Sequence, residues 1–338
     1  MNILDLGRDG LEKLLIDLGE KPYRASQIFQ WIYQKGITDF SEMSNIEKNL
    51  CKRLKSIASI NYPLLIDRLI SEDGTEKLAY QLLDGSIIES VLIPEDNHWT
   101  ICVSTQVGCP MGCKFCYTAS MGFIRNLNVG EIVSQVLYPI KAFRAKRISN
   151  VVFMGMGEPL LNYNNVARAV HIIRNPLGPG ISKRRITVST CGIVPKISKI
   201  WHDTGAQLAV SLNAPTDKQR DALMPINKRY PLKALLDTLK NYPLPRRCHI
   251  TIEYVMLRDI NDSIDDAKNL FIILRGIRTK INLIPFNPWP GAIFDAPKTQ
   301  DVLAFQEYLL ARGIAVMVRK EKGRDIMAAC GQLAGGNI

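Results

Sequence analysis

The sequence predicts an α/β protein built on a parallel sheet, open or curled towards a barrel, with a small helical module in front of it. Three observations carry this. From residue 129 onward, segments with helical spacing alternate with short apolar runs, the pattern of parallel strands joined by crossover helices. Residues 62–105 instead hold short runs separated by the turn signals Ser71-Glu72-Asp73-Gly74 and Asp84-Gly85, so an antiparallel patch comes first. Residues 1 to about 58 read as helical.

In the first module, Leu11, Leu14, Leu15 and Leu18 recur at helical spacing until Gly19, and Ala25, Ile28, Phe29, Ile32 and Tyr33 do so before Gly36. A third helix is expected to include residues 41–55 and to carry Leu50, Leu54 and Ile57. Gln27, Gln30 and Trp31 are expected on the exposed side. Strands are expected over residues 64–70, 77–83, 87–93 and 100–106. Beyond them helices over 129–143, 163–173, 194–202, 232–240, 264–275 and 299–311 alternate with strands over 150–154, 185–190, 207–212, 249–255, 280–284 and 314–318. Folds of this kind bind ligands at the C-terminal ends of their strands.

A chain of 338 residues allows one large domain or two modest ones. Apolar residues at 46% and charged residues at 22% exclude a disordered, collagen-like or coiled-coil chain. No apolar run approaches the ~18 residues of a membrane span, and the start MNILDLGRDGLEKLL has no basic secretory leader. The expected location is the cytoplasm. With 43 basic and 32 acidic residues the net charge is +11, which points to a polyanion such as nucleic acid. The basic residues cluster as Lys141, Arg144, Lys146 and Arg147; Lys183-Arg184-Arg185; Lys228-Arg229; Arg246-Arg247; and Arg319-Lys320 with Lys322 and Arg324. Turns near strand ends are expected to gather several of them on an RNA-binding rim.

Eight cysteines are present, and three crowd into Cys109-Pro-Met-Gly-Cys113-Lys-Phe-Cys116. Three thiolates at these spacings can wrap one side of a metal or cluster. A closed zinc site wants four ligands, and no fourth Cys or His follows closely. Two readings stay open on spacing alone: a zinc knuckle completed from afar, and a cluster with one open iron. Cys51, Cys191 and Cys248 read as packing residues, and His98, His171, His202 and His249 as structural or surface residues.

The Cys-x3-Cys-x2-Cys motif, with Phe115 before its last cysteine, resembles the radical S-adenosylmethionine (SAM) superfamily. Further segments resemble the RlmN methyltransferases within it: residues 21–31 of the helical module, 103–109, Gly122-Phe123, Asn126-Leu127, 153–162, 187–192, 284–291 and 324–333. The resemblance implies a partial (β/α)6-type barrel over 99–320. A helical RNA-binding module would occupy 1–60, an antiparallel extension 61–98, and a tail 321–338 would carry a methyl-accepting cysteine. It implies a [4Fe-4S] cluster on Cys109, Cys113 and Cys116, SAM as cofactor, and methylation of C2 of one adenosine in 23S rRNA. Family members also act on an adenosine beside a tRNA anticodon. Cys330 would take a methyl from SAM, and Cys102 would resolve the protein–RNA adduct by forming a disulfide with it. Glu89 matches the general base. Gly157, Glu158, Ser189, Ser211, Leu212, Asn213 and Asn287 would contact SAM, although the family usually has histidine where this chain has Asn213. A single chain served by an electron donor such as flavodoxin is expected. The alternatives are a Cfr-like enzyme methylating C8 of the same adenosine and a zinc-stabilised RNA-binding module without catalysis.

Overall fold

The computed structural model describes residues 1–143 and 147–335. A helical module comes first, with α1 (Gly7–Asp17), α2 (Tyr23–Tyr33) and α3 (Lys48–Ile57). Leu11 and Leu15 of α1 and Ile28, Phe29 and Ile32 of α2 are buried, so the faces marked by the periodicity are the packed ones. The third helix starts at Lys48, well after Ser41. Asp39 accepts from the Ser41 N–H and Glu42 reaches back to the Asp39 N–H, which closes a capping box around the single 3-10 turn Phe40–Glu42. Residues 43–47 then run outside any helix. Trp31 is half-buried rather than exposed, and its indole N–H donates to Asn45.

Next come β1 (Leu64–Ile70), β2 (Glu76–Gln81), β3 (Ile87–Glu95) and β4 (His98–Cys102), an antiparallel meander. The run expected as one strand over 100–106 divides. Its first part is β4. At Ser104 and Thr105 the backbone leaves the ladder, because Ser104 N–H donates to the Gln135 side chain and Thr105 N–H to the Met156 carbonyl. The chain then forms a separate hairpin of β5 (Gln106–Gly108) and β6 (Phe123–Asn126), with the short α4 (Tyr117–Ser120) between them. Neither α4 nor β6 was marked by periodicity, for each spans only four residues.

The alternating part follows as α5 (Val129–Ala142), β7 (Ile148–Phe153), α6 (Tyr163–Arg174), β8 (Ile186–Thr190), α7 (Val194–Lys199), β9 (Gln207–Ser211), α8 (Asp217–Leu223), α9 (Leu232–Lys240), β10 (Ile250–Met256), α10 (Ile264–Leu274), β11 (Thr279–Pro285), α11 (Thr299–Leu310) and β12 (Ala315–Val318). After α7 the helix widens into a π turn at Ile200–Thr204, where the Thr204 hydroxyl bonds back to the Ile200 carbonyl.

Ten strands form one sheet in the order β1-β2-β3-β4-β7-β8-β9-β10-β11-β12, antiparallel up to β4 and parallel from there on. The antiparallel extension is therefore continuous with the parallel sheet. The sheet ends at β1 and β12, so the barrel is partial and open. The helical module packs on the helices of the parallel part: Asp5 accepts from the Gly130 N–H at the start of α5, and Arg168 of α6 donates to the Asp5 carbonyl.

Candidate active site

The three clustered cysteines lie on the loop between β5 and α4, at the C-terminal end of the parallel strands. Its neighbours fix the loop. Cys109 N–H donates to the Gly122 carbonyl at 2.7 Å, Lys114 N–H to Leu223 at 3.0 Å, and Tyr117 N–H to Gly331 at 2.7 Å. Trp289 donates its indole N–H to the Phe115 carbonyl and stacks on Tyr117 with ring centroids 4.9 Å apart. Cys109, Cys113 and Cys116 line one cavity together. Burial pushes the Cys109 thiol up to about 12 and is the main cause raising Cys113 and Cys116 as well. A bound metal overcomes that burial, since thiolates are the ligating form. Among the described residues no three ligating side chains converge on a single ion. Three thiolates around one cavity are a donor set that can hold a four-iron cluster with one iron left open.

The rest of this cavity is built by strand ends. After β7 the chain turns through Gly155 and Gly157. A Cβ on Gly157, whose φ is +98°, would stand 2.5 Å from the Gln106 Cβ, and one on Gly155 2.8 Å from the Val103 carbonyl carbon. The glycines thus allow close approach to the segment leading into the cysteine loop. Glu158 is buried; its Oε1 accepts from the Leu160 N–H at 3.0 Å and its Oε2 from the Cys191 N–H at 2.8 Å. Burial pushes its pKa above the usual carboxylate range and the Cys191 N–H opposes that. A carboxylate held at two points keeps lone pairs for a ligand ammonium. Ser189 is the last residue but one of β8 and Ser211 ends β9, and both line the cavity.

Asn213 lines it too, with a left-handed φ of +59° that asparagine tolerates. Its side chain is engaged within the protein, accepting from the Val255 N–H at 2.8 Å and donating to the Met224 sulfur at 3.3 Å. Leu212 is buried behind the wall and is absent from the cavity lining. Asn287 lies on an adjoining cavity, and its buried carbonyl oxygen has no hydrogen-bond partner.

That adjoining cavity holds both remaining cysteines of interest. Cys102, at the end of β4, and Cys330, in the tail, line it with Val91, Arg319 and Asn287. Cys330 also lines the first cavity, so it stands at the junction of the two. Cys102 and Cys330 are free thiols here. Burial pushes the Cys102 thiol up to about 12, with Cys330 the next cause. Glu89 sits on β3, two residues from Val91, which pairs with Cys102 across the sheet. It is 1% exposed and outside both cavity linings. Lys77 approaches its Oε1 at 3.4 Å, while Ala334 and Gly335 of the tail donate their N–H groups to its Oε2 at 2.8 and 3.3 Å.

Several residues of this region had no sequence signal. Cys191, expected to be packing only, borders the first cavity beside Glu158. Glu253 on β10 is buried there with one carboxylate oxygen unpartnered. Arg220 on α8, 1% exposed, donates to the carbonyls of Leu212 (3.0 Å) and Cys191 (2.7 Å) and to the Asn227 side chain (2.9 Å). It ties together the segments that follow β8 and β9. Arg220→Met is expected to leave three buried acceptors unsatisfied, at a cost of about 3–5 kcal/mol. Thermal unfolding should then start about 5–15 °C lower; a shift under about 2 °C would contradict this account of Arg220.

The basic groups do not form one rim. Arg147, Lys183-Arg184-Arg185 and Arg246-Arg247 precede β7, β8 and β10, at the N-terminal ends of parallel strands and so away from the cavities. Lys141 reaches the Gly36 carbonyl of the helical module. Arg144 and Lys146 lie outside the described residues. Lys320 and Lys322 line the cavity of Cys102 and Cys330, with Arg324 close by in sequence.

Comparison with known proteins places this geometry. Residues 103–271 match the model of the radical SAM superfamily, and residues 1–60 match the model described as the ribosomal RNA large subunit methyltransferase N-terminal domain. The dual-specificity RNA methyltransferase RlmN of Syntrophus aciditrophicus is 45% identical over 336 residues, covering 99% of this chain and 97% of that protein. The chain belongs to the RlmN family. The RlmN of Geobacter sulfurreducens is 48% identical over 99% of this chain and 92% of its own length. A crystal structure of a radical SAM methyltransferase from Sphaerobacter thermophilus superposes with a TM-score of 0.94 at 40% identity, covering 99% of this chain and 100% of the other. As a member of the RlmN family the chain is a radical SAM RNA methyltransferase that uses a [4Fe-4S] cluster and SAM. Neither the C8 alternative nor the non-catalytic zinc module is favoured by these relatives.

Proposed function

We propose that this chain methylates C2 of one adenosine in 23S rRNA, and the adenosine beside the anticodon of tRNA, with Cys330 as methyl carrier, Cys102 as resolving thiol and Glu89 as general base. The observation that carries the reading is the position of Cys330, which borders both the cavity of the three clustered cysteines and the cavity of Cys102. A carrier has to work at such a junction. It must reach the methyl donor on one side and the acceptor base and the resolving sulfur on the other.

C2 of adenine is electron-poor and carries a hydrogen, so transfer of a methyl cation to it is implausible. A cluster on Cys109, Cys113 and Cys116, with SAM bound beside it, supplies the one-electron chemistry. The protein's part begins with Glu158, held in place to receive the SAM ammonium, and with Ser189 and Ser211 along the wall. Asn287 offers an unpartnered acceptor, and Leu212 and Asn213 shape the wall through their backbone. Cys330 accepts a methyl on its sulfur; once that one-electron chemistry has taken a hydrogen atom from the methyl, its carbon bonds to adenine C2, and the odd electron left on the adduct is taken back by the same chemistry. Glu89 takes the C2 proton once the tail has left it. Attack of the Cys102 thiolate on the Cys330 sulfur then breaks the bond from that sulfur to the transferred carbon, which takes a proton to become the methyl group of the base, and the two cysteines are left as a disulfide. The reading includes action in the cytoplasm as a single chain, with electrons from a flavodoxin-type donor. No helix of the described residues is long and apolar enough to cross a membrane, and a net charge of +11 suits RNA.

The test is direct. Anaerobically reconstituted protein, a reductant, methyl-labelled SAM and protein-free 23S rRNA or tRNA are combined, and the digested RNA is resolved by chromatography and mass spectrometry. The expected product is 2-methyladenosine from both RNAs. 8-Methyladenosine would overturn the position assigned, and label confined to rRNA would remove tRNA from the reading.

A further inference from the structure

Strand β12 ends at Val318, and Arg319 continues the ladder by donating its backbone N–H to the Leu283 carbonyl at 2.8 Å. Its side chain lines both cavities. Nη1 donates to the Cys330 sulfur at 3.0 Å. Among the described residues no carboxylate lies within ion-pair distance of this guanidinium. A permanent cation aimed at a sulfur, rather than at an acid, is an unusual use of arginine, whose fork normally takes a carboxylate or phosphate.

We propose that Arg319 is a catalytic residue of the methyl-loading step, presenting the Cys330 sulfur as an anion to the methyl donor and letting it go once it is methylated. The inference rests on the reading of Cys330 as the carrier. In the step, a lone pair on the anionic sulfur forms the new S–CH3 bond while the methyl–sulfonium bond of SAM breaks. The sulfonium sulfur keeps that electron pair and leaves as neutral S-adenosylhomocysteine. The thiol proton has already gone to water, and nothing is oxidised or reduced. Before the step, the guanidinium offsets the sulfur's negative charge and fixes its direction. After it, the sulfur is a neutral thioether and only a weak acceptor. The hold of Arg319 weakens, and Glu253, with its unpartnered oxygen, remains as an acid on the same cavity. One residue thus serves both to arm the carrier and to free it for its second task.

The test uses cluster-loaded protein with no reductant and no RNA, so that only loading can occur. SAM with a deuterated methyl group is added, and label on Cys330 is followed by peptide mass spectrometry. SAM binding is measured separately by equilibrium dialysis. Wild type is expected to load; R319M is expected to load about 10- to 100-fold more slowly with SAM still bound; and R319K is expected to recover most of the rate. Iodoacetamide labelling of Cys330, which needs no SAM, should slow in R319M and recover in R319K. Equal loading by wild type and R319M would overturn the role, and so would an R319K as slow as R319M. If R319M fails to bind SAM, R319Q is compared with R319K: a slow glutamine and a fast lysine variant support the role, and equal rates overturn it. A wild type that never gains label on Cys330 overturns the carrier reading itself, a result separate from any difference among variants.

Discussion

Cys330→Ala is expected to remove RNA methylation, by on the order of 10³-fold or more, while leaving the cluster and SAM binding in place. The reason is positional. The three clustered cysteines come from the loop between β5 and α4, and the walls of that cavity from the ends of β7, β8 and β9. None of these depends on the Cys330 sulfur. The expected loss is therefore one of chemistry, read as a fall in turnover without a matching fall in SAM affinity. The check is labelled methyl incorporated into RNA, beside the cluster's absorbance and SAM retention by dialysis. A Cys330→Ala protein that still methylates RNA would end the carrier mechanism.

Cys102→Ala should give the opposite picture: the protein stays competent for bond formation and becomes stuck to its RNA. Without the resolving sulfur nothing in the described structure replaces it at this cavity. The remaining thiols of the lining are Cys116, proposed to hold the cluster, and Cys330 itself. Burial keeps the Cys102 thiol protonated at neutral pH, since its value is pushed up to about 12. A thiol is a poor nucleophile and a thiolate a good one, so Cys102 is quiet until the adduct forms beside it. Multiple turnover is expected to fall by at least about 100-fold, with most of the protein recovered as a covalent RNA complex. The complex is read on a denaturing gel and, after nuclease digestion, as a nucleoside mass on the peptide that carries Cys330. Free methylated RNA with no adduct would assign resolution to another group.

The alternation of helix and strand from residue 129 was legible because each element buries one face for its full length; α9 runs over Leu232–Lys240, the range its spacing marks. The turns at Gly74 and Gly85 were legible for a similar reason, as local backbone demands are written locally. What stayed hidden depends on partners far along the chain. Nothing near Ser104 announces that Gln135 will take its N–H and pull the chain out of the sheet. Arg220 and Arg319 look like ordinary surface charges in sequence, and only the fold supplies the carbonyls and the sulfur they meet. The basic groups failed in the other direction. Turns near strand ends suggested a rim holding several of them, but Arg147, Lys183-Arg184-Arg185 and Arg246-Arg247 precede parallel strands, and the direction of a strand decides which end of the sheet its flanking residues occupy.

The seated tail has a kinetic meaning. Gly331 accepts from Tyr117, Gln332 donates to Pro288, Leu333 accepts from Thr118, and Ala334 and Gly335 donate to Glu89, so five consecutive residues stitch the chain end across the opening. An adenine that is to reach Glu89 has to displace them. On the proposed reading residues 331–335 are a tethered competitor for the base, with an effective concentration that dilution of the protein does not lower. The affinity observed for RNA is then the intrinsic affinity multiplied by the fraction of time the tail is away. On the proposed reading Cys330 adjoins that same segment, so release of residues 331–335 to admit a base would also free the carrier.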